Sequence, residues 1–333
     1  MSIRLKLLLL LFGLLVSLMV CLQIGAVPLS WSALIAPKLD DGMSQQIFFE
    51  LRLPRLLLGV LAGASLALCG GLLQDLSRNQ LADPYLFGIV AGAAFGATIV
   101  TVWLPSLSIA LPFAAFIGAL LAISLVIAFV SVNRRNQLEH WVLAGVAVSF
   151  LLSSLGSAFL YMGDAFAANR IMFWLMGSLA RAQMTAVWVI APVLFMTLAI
   201  IIFWRREIAA LHFADATAKS LGVAVNKVRL GLLLCSAALT AVVVSYCGGI
   251  GFVGLLVPHL IRFWLGNSPL PMLFGSALAG AILLIWVDAA ARTLLPSQEI
   301  PLGVLTSAIG SMFFLLLLAR RRYSTLCHQS TVA

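Results

Sequence analysis

The chain has 333 residues, of which 63% are hydrophobic and 9% charged, with a mean hydropathy of +1.13. Soluble domains carry about 25% charged residues, so this chain cannot cover a water-facing surface and its outside must be lipid. The net charge of +9 would suggest nucleic acid as a partner in a soluble protein; here the basic residues flank apolar runs, where membrane orientation explains them, and no nucleic-acid partner is expected.

A span takes about 20 apolar residues. In chain order the apolar runs are 5–27, 54–76, 85–104, 109–132, 141–162, 185–204, 229–248, 250–265, 272–290 and 302–319. The expected fold is an all-α polytopic membrane protein with ten transmembrane helices, residues 1–333 forming a single transmembrane domain. Arg4 and Lys6 precede the first run as in a signal peptide, but that run is long enough to span and more spans follow, so it is expected to be retained. The apolar piece 171–179 is too short to cross and predicts a short re-entrant helix, tolerated only where protein or water covers its ends.

With the N-terminus inside, the outer segments hold Lys38, Arg52, Arg55, Arg170, Arg181 and Arg292, and the inner segments hold the other fourteen of the 20 basic residues. The positive-inside rule therefore predicts N-in, C-in, with 28–50 an outer loop, 205–229 an inner loop and 323–333 a short inner tail. Arg52, Arg55 and Arg292 are exceptions to that bias. They are either interfacial arginines snorkelling to headgroups or a basic surface for an acidic partner, since the guanidinium fork pairs carboxylates bidentately. In the inner loop, residues 215–222 predict a short helix, with Asp215 favouring its N-terminal end and Gly222 its C-cap. It is either plain loop structure or a peg that fits another protein. Gly88, Gly92 and Gly96 are spaced for close helix approach, expected as packing within one subunit.

No HExxH, GxSxG or GxxxxGK[ST] motif occurs, so the chain is not expected to be an enzyme or to hydrolyse ATP itself. The five cysteines are scattered without CxxC, and the four histidines are dispersed at 140, 212, 259 and 328, so no metal site is expected. Asp75 and Asp288 are the candidate intramembrane carboxylates; their scarcity argues against an ion-driven carrier, and Asp288 can pair with Arg292 at i,i+4.

Taken in order, Arg52-Leu53-Pro54-Arg55, Gly63-Ala64-Ser65-Leu66-Ala67, Arg78-Asn79-Gln80-Leu81-Ala82-Asp83-Pro84 with Gly88, Phe173-Trp174-Leu175-Met176-Gly177-Ser178, Gly251-Phe252-Val253-Gly254-Leu255 through Pro258-His259 and Arg262, and Pro301-Leu302-Gly303 through Thr306 and Gly310 resemble the FecCD-type permeases. These are membrane subunits of type II ABC importers for iron–siderophore, haem and cobalamin. The resemblance covers nearly the whole chain; Gln80 departs from it, standing where the family usually has proline. It implies ten spans and a pathway at the interface with a second permease copy or close paralogue. It also implies two cytoplasmic ATPase subunits that carry ATP and magnesium, leaving no cofactor in this chain. A periplasmic substrate-binding protein and the bacterial inner membrane complete the expectation.

By position, the resemblance assigns binding-protein docking to Arg52, Arg55 and Arg292. It assigns ATPase coupling to Asp215, Ala216, Ala218, Lys219, Leu221 and Gly222. Pathway and gate fall to Asn79, Leu81, Ser149, Met172, Phe173, Met176 and Gly177. An iron(III)–siderophore is the expected cargo, with cobalamin or haem as alternatives and a proton-coupled secondary carrier as the competing class. Exchanging Arg52 and Arg55 for glutamate is expected to abolish uptake and leave assembly with the ATPase intact.

Overall fold

A computed structural model describes residues 2–25, 43–104, 111–132, 138–213, 215–295 and 298–330. Among these residues there is no strand, as lipid demands of a chain that must satisfy its backbone within each segment. The helices are α1 (Ile3–Gln23), α2 (Leu53–Ser77), α3 (Ile89–Trp103), α4 (Leu111–Val132), α5 (Leu138–Tyr161), α6 (Ala165–Leu175), α7 (Met184–Phe203), α8 (Arg205–Leu211), α9 (Asp215–Ser220), α10 (Val225–Cys247), α11 (Val253–Leu265), α12 (Pro269–Thr293) and α13 (Leu302–Ser330).

Eight of them are long and apolar enough to cross a membrane; α3 and α11 are apolar but shorter. With 15 residues, α3 rises about 22 Å. A 3₁₀ turn at Pro84–Phe87 leads into it and adds about 8 Å, which together approach the roughly 30 Å of a bilayer core.

Four boundaries differ from the sequence expectation. The short helix runs over Ala165–Leu175 rather than 171–179, because the Asp164 side chain caps it by accepting from the Ala167 N–H, and it stops before Gly177, whose φ of +72° ends helical geometry. Of the expected outer loop 28–50, residues 26–42 lie outside the described residues, while Met43–Gln46 and a π turn at Ile47–Arg52 are helical and run straight into α2. The wide turn, closed by the Leu53 N–H on Phe48 O, immediately precedes Pro54, which has no N–H to give. The inner loop folds as two helices, α8 and α9, rather than one. The last helix continues through Ser330, so the described part of the 323–333 tail is helical.

At the centre of the bundle lies α2. Every residue from Ala62 to Leu76 is buried, the mark of a helix enclosed by protein on all sides. It packs chiefly on α12 and is flanked by α7, α10 and α11, while α3, α4 and α5 form a second packed group. Small residues set the spacing. A Cβ on Gly63 would fall 2.2 Å from the Gly280 carbonyl oxygen, and one on Gly92 would fall 2.3 Å from that of Gly118. The glycine faces thus meet other helices of the same chain. Gly63→Val is expected to cost at least the upper end of the roughly 1–3 kcal/mol typical of overpacking, because the obstructing atoms are backbone. Thermal unfolding in detergent measures this, with Gly156→Ala as a silent control, since its nearest neighbour would be 3.9 Å away.

Candidate functional site: two charged ends and a knot of broken helices

Arg52 and Arg55 stand where the π turn meets α2, and Arg292 stands on the last turn of α12. All three turn into the protein. Arg52 donates to the carbonyls of Leu22 (2.8 Å) and Gln23 (3.2 Å). The Arg55 fork lies between two carboxylates, with Nη2 2.9 Å from Asp288 Oδ1 and Nη1 2.9 Å from Glu299 Oε1. Arg292 closes the group, with Nε 3.2 Å from Asp288 Oδ2 and Nη1 donating to the Ile24 carbonyl at 2.9 Å. The expected Asp288–Arg292 pair is present, and Arg55 shares the same carboxylate. The Asp288 side chain is only 3% exposed, whereas that of Glu299 is 44% exposed. The hydrogen bond from Arg55 holds the Glu299 carboxyl below its ordinary value.

At the other end of α2 the chain leaves the helix through Arg78, a non-glycine residue in the left-handed region (φ 51°). Its guanidinium donates to Leu211 O at 2.9 Å, to Phe213 O, and to Asp215 Oδ1 at 2.8 Å. Asp215, the first residue of α9, also receives Arg229, Nη2 to Oδ1 at 3.2 Å. The Arg229 hydrogen bond, with Arg78 beside it, pulls the Asp215 carboxyl below the usual carboxylate range. One turn earlier, buried Asp75 pairs with Arg262 at 2.8 Å and faces His212 Nε2 at 3.7 Å. Gln74 accepts from Arg262 and donates to Gly254 O at 3.1 Å. Both candidate intramembrane carboxylates, Asp75 and Asp288, are therefore paired with arginine.

Immediately after Arg78 come the expected gate residues. The Asn79 N–H returns to Gln74 O at 3.2 Å, and the Asn79 side chain accepts from the Leu81 N–H at 2.9 Å. This leaves Leu81 62% exposed. On the opposite side of the Arg78 clasp, α9 ends at Gly222, where φ is +82° and no atom lies within 4 Å of a Cβ position. The Gly222 N–H bonds to Lys219 O at 2.9 Å and that of Val223 to Ala218 O at 3.1 Å, a closed C-cap. Ala218 is buried beneath the helix, while Ala216, Lys219, Leu221 and Gly222 are exposed.

Between the two ends, three interruptions are joined by backbone hydrogen bonds. The Ser178 N–H donates to Cys247 O, the Leu302 N–H to Gly177 O and the Gly303 N–H to Met176 O, each at 2.9 Å. The Tyr85 hydroxyl donates to Ile250 O at 2.8 Å and accepts from the Ile250 N–H at 2.9 Å. Irregular backbone persists within a membrane protein only where it is satisfied in this way. Met176 and Gly177 thus belong to the knot, and Met172 and Phe173 are exposed on α6 beside it. The Ser149 hydroxyl donates to Gly145 O at 2.8 Å and abuts Gly88. Tyr85→Phe strands both polar groups of Ile250 and is expected to cost about 1–3 kcal/mol, read as a lower unfolding midpoint with secondary structure unchanged.

Arg78, Arg229, Arg262, His212 and Glu299 carry this arrangement without having been assigned roles from the sequence, and Asp75 was expected only as an intramembrane carboxylate. The signal available was chemical: a carboxylate inside an apolar run, such as Asp75, needs a cation, and Arg262 is a basic residue within another apolar run.

Compared with known proteins, the chain matches the FecCD transport family over residues 10–320. It is 39% identical over 305 residues to the hemin transport system permease protein HmuU of Yersinia pestis, covering 90% of this chain and 91% of the relative. It is 38% identical to the cobalamin import system permease protein BtuC of Halobacterium salinarum, covering 90% and 82%. It is 35% identical to the Fe(3+) dicitrate transport system permease protein FecD of Escherichia coli, covering 90% and 94%. A solved structure described as an inward-facing conformation of a metal-chelate type ABC transporter superposes with a TM-score of 0.85 at 32% identity, covering 95% of this chain and 99% of the other. The all-helical fold, the ordered motifs and these matches agree: the chain is a multi-pass membrane protein that belongs to the FecCD transport family of ABC permeases.

Proposed function

We propose that this chain is the membrane-spanning half of an ATP-driven importer that moves a bulky metal chelate, first an iron(III)–siderophore, from periplasm to cytoplasm. In this reading it crosses the bacterial inner membrane ten times with both termini inside, α3 and α11 being the two short crossings. It pairs with a second copy or close paralogue, receives cargo from a periplasmic binding protein at the Arg52–Arg55–Arg292 end, and meets two ATPase subunits through the exposed side of α9.

The observation that carries the reading is the Arg78–Asp215 clasp. It fastens the first residue of the exposed helix to the residue preceding Asn79 and Leu81, so displacement of α9 pulls directly on the gate. A direct link of this kind is what a partner ATPase needs in order to bias one conformation over the other. The pairing of Asp75 and Asp288 with arginine favours this class over a proton-coupled carrier, which needs titrating carboxylates on the pathway. Exposed Met162, Phe166, Met172 and Phe173 offer an apolar, adaptable face suited to a large chelate that must be held weakly and released. Hemin, cobalamin and ferric dicitrate, named in the relatives, share that bulk and enclosed metal.

Growth tests the assignment. The chain is expressed with its ATPase and binding protein in a strain lacking chelate permeases. Rescue on a ferric siderophore as sole iron source is expected; rescue by haem or cobalamin instead reassigns the cargo within the class. Failure on all three, with the complex assembled in the membrane, contradicts the function.

A further inference from the structure

Between α7 and α10 lies an apolar groove of about 710 Å³ that the transport reading does not use. Its walls include Ala199, Phe203 and Trp204 on one side and Gly231, Leu234 and Cys235 on the other. Gly231 makes room for the Trp204 indole, since a Cβ there would sit 2.5 Å from the ring. The volume lies within the roughly 300–1,000 Å³ of small-ligand sites, and Phe203, 79% exposed, leaves the groove open to the surrounding lipid.

One end of the groove is basic. Arg205 and Arg206 follow Trp204 directly, and Lys227 lies one helical turn before Gly231 on the same face of α10. All three are exposed, and among the described residues none forms an ion pair. Glu207, the acidic residue on α8, forms no ion pair with them; its Oε2 is buried without a hydrogen-bond partner. Apolar walls ending in three cations that form no ion pair among the described residues, beside an interfacial tryptophan, match the two halves of an anionic phospholipid.

We propose that this groove is a binding site for one anionic phospholipid, its acyl chain along α7 and α10 and its phosphate against Arg205, Arg206 and Lys227. Under the proposed orientation the lipid belongs to the cytoplasmic leaflet and braces α8, the helix whose Leu211 carbonyl accepts from Arg78. The site itself does not depend on what the transporter carries.

Native mass spectrometry of the purified full chain, given equal phosphatidylglycerol and phosphatidylcholine, tests it. About one phosphatidylglycerol per chain is expected to survive activation that strips phosphatidylcholine. The combined Arg205→Gln, Arg206→Gln and Lys227→Gln variant is expected to lower that retention about tenfold or more. Ala199→Trp and Cys235→Trp fill the groove from opposite walls, leave the charges intact and are expected to do the same; either one suffices if the other misassembles. Equal retention of the two lipids overturns the proposal. Undiminished phosphatidylglycerol in the filled variants reduces the site to headgroup adsorption and also overturns it. A filled variant that changes the oligomeric state but not the lipid count assigns the groove to a second copy, with the same consequence.

Discussion

Arg78→Ala is expected to leave ATP hydrolysis by the assembled transporter largely intact while lowering coupled uptake by about tenfold or more. The Arg78–Asp215 pair is itself half exposed, at 43% and 42% for the two side chains, and exposed pairs contribute only about 0–1 kcal/mol to stability. Asp215 also keeps Arg229. The chain should therefore fold, and unfolding midpoints should move little. What disappears is the mechanical link between α9 and the residues that follow α2, because Arg78 also holds the carbonyls of Leu211 and Phe213. Arg78→Lys should recover only part of the coupling, since a point charge reaches Asp215 but cannot fork across several acceptors. The measurement is the ratio of chelate imported to ATP hydrolysed in proteoliposomes. A fall in both rates together, or in neither, would count against the clasp.

Asp288→Asn is expected to act on assembly. Two largely buried guanidiniums, Arg55 and Arg292, share this one carboxylate; without it Arg55 keeps only half-exposed Glu299 and Arg292 has no carboxylate among the described residues. Leaving buried charge unpaired costs about 3–5 kcal/mol, a large part of a typical folding free energy of about 5–15 kcal/mol. The variant should be depleted from the membrane or unfold well below the wild type. The same geometry changes what glutamate at position 55 would mean. It would face Asp288 and Glu299 as a third carboxylate, so the Arg52/Arg55 exchange expected from sequence to spare assembly is now expected to damage it. Glu299→Gln is the cleaner probe of docking: it releases one side of the Arg55 fork and keeps Asp288. If Arg55 receives an acidic partner, binding-protein affinity should hold or rise; a loss would assign Glu299 itself to the contact.

The sign of the pH effect at this end follows from Glu299. Its folded-state carboxyl titrates below the ordinary value because Arg55 hydrogen-bonds to it. The contribution of the pair is therefore complete above the unfolded pKa of about 4.3 and is lost as pH falls through the lower folded value. The pH dependence of binding-protein affinity that Glu299→Gln removes should have its midpoint below about 4.3; a midpoint at or above that value would contradict the pairing.

Much of the fold was legible because apolar runs bounded by Arg, Gly and Pro have few alternatives in lipid. The positions least legible were those where side chains replaced hydropathy as the deciding term. The short helix begins at 165 because Asp164 caps it, although Asn169 and Arg170 interrupt the apolar pattern. The helix before Pro54 is visible only as a π turn that spares a missing donor. At the charged ends, sequence identified Arg52, Arg55, Arg292 and Asp215 and the local Asp288–Arg292 pair, but not the distant partners, since Arg55 reaches Asp288 across more than two hundred residues of chain.

The central claim is that energy enters this chain from a separate ATPase through the exposed face of α9. Proteoliposomes containing the chain with its ATPase and binding protein, loaded with ATP inside and offered ferric siderophore, haemin or cobalamin outside, test it most directly. Uptake of a chelate should require ATP, persist when an ionophore collapses the proton gradient, and fall to background when Leu221, exposed on the α9 peg, is replaced by aspartate. Uptake driven by a proton gradient without the ATPase, or undiminished by Leu221→Asp, would contradict the account.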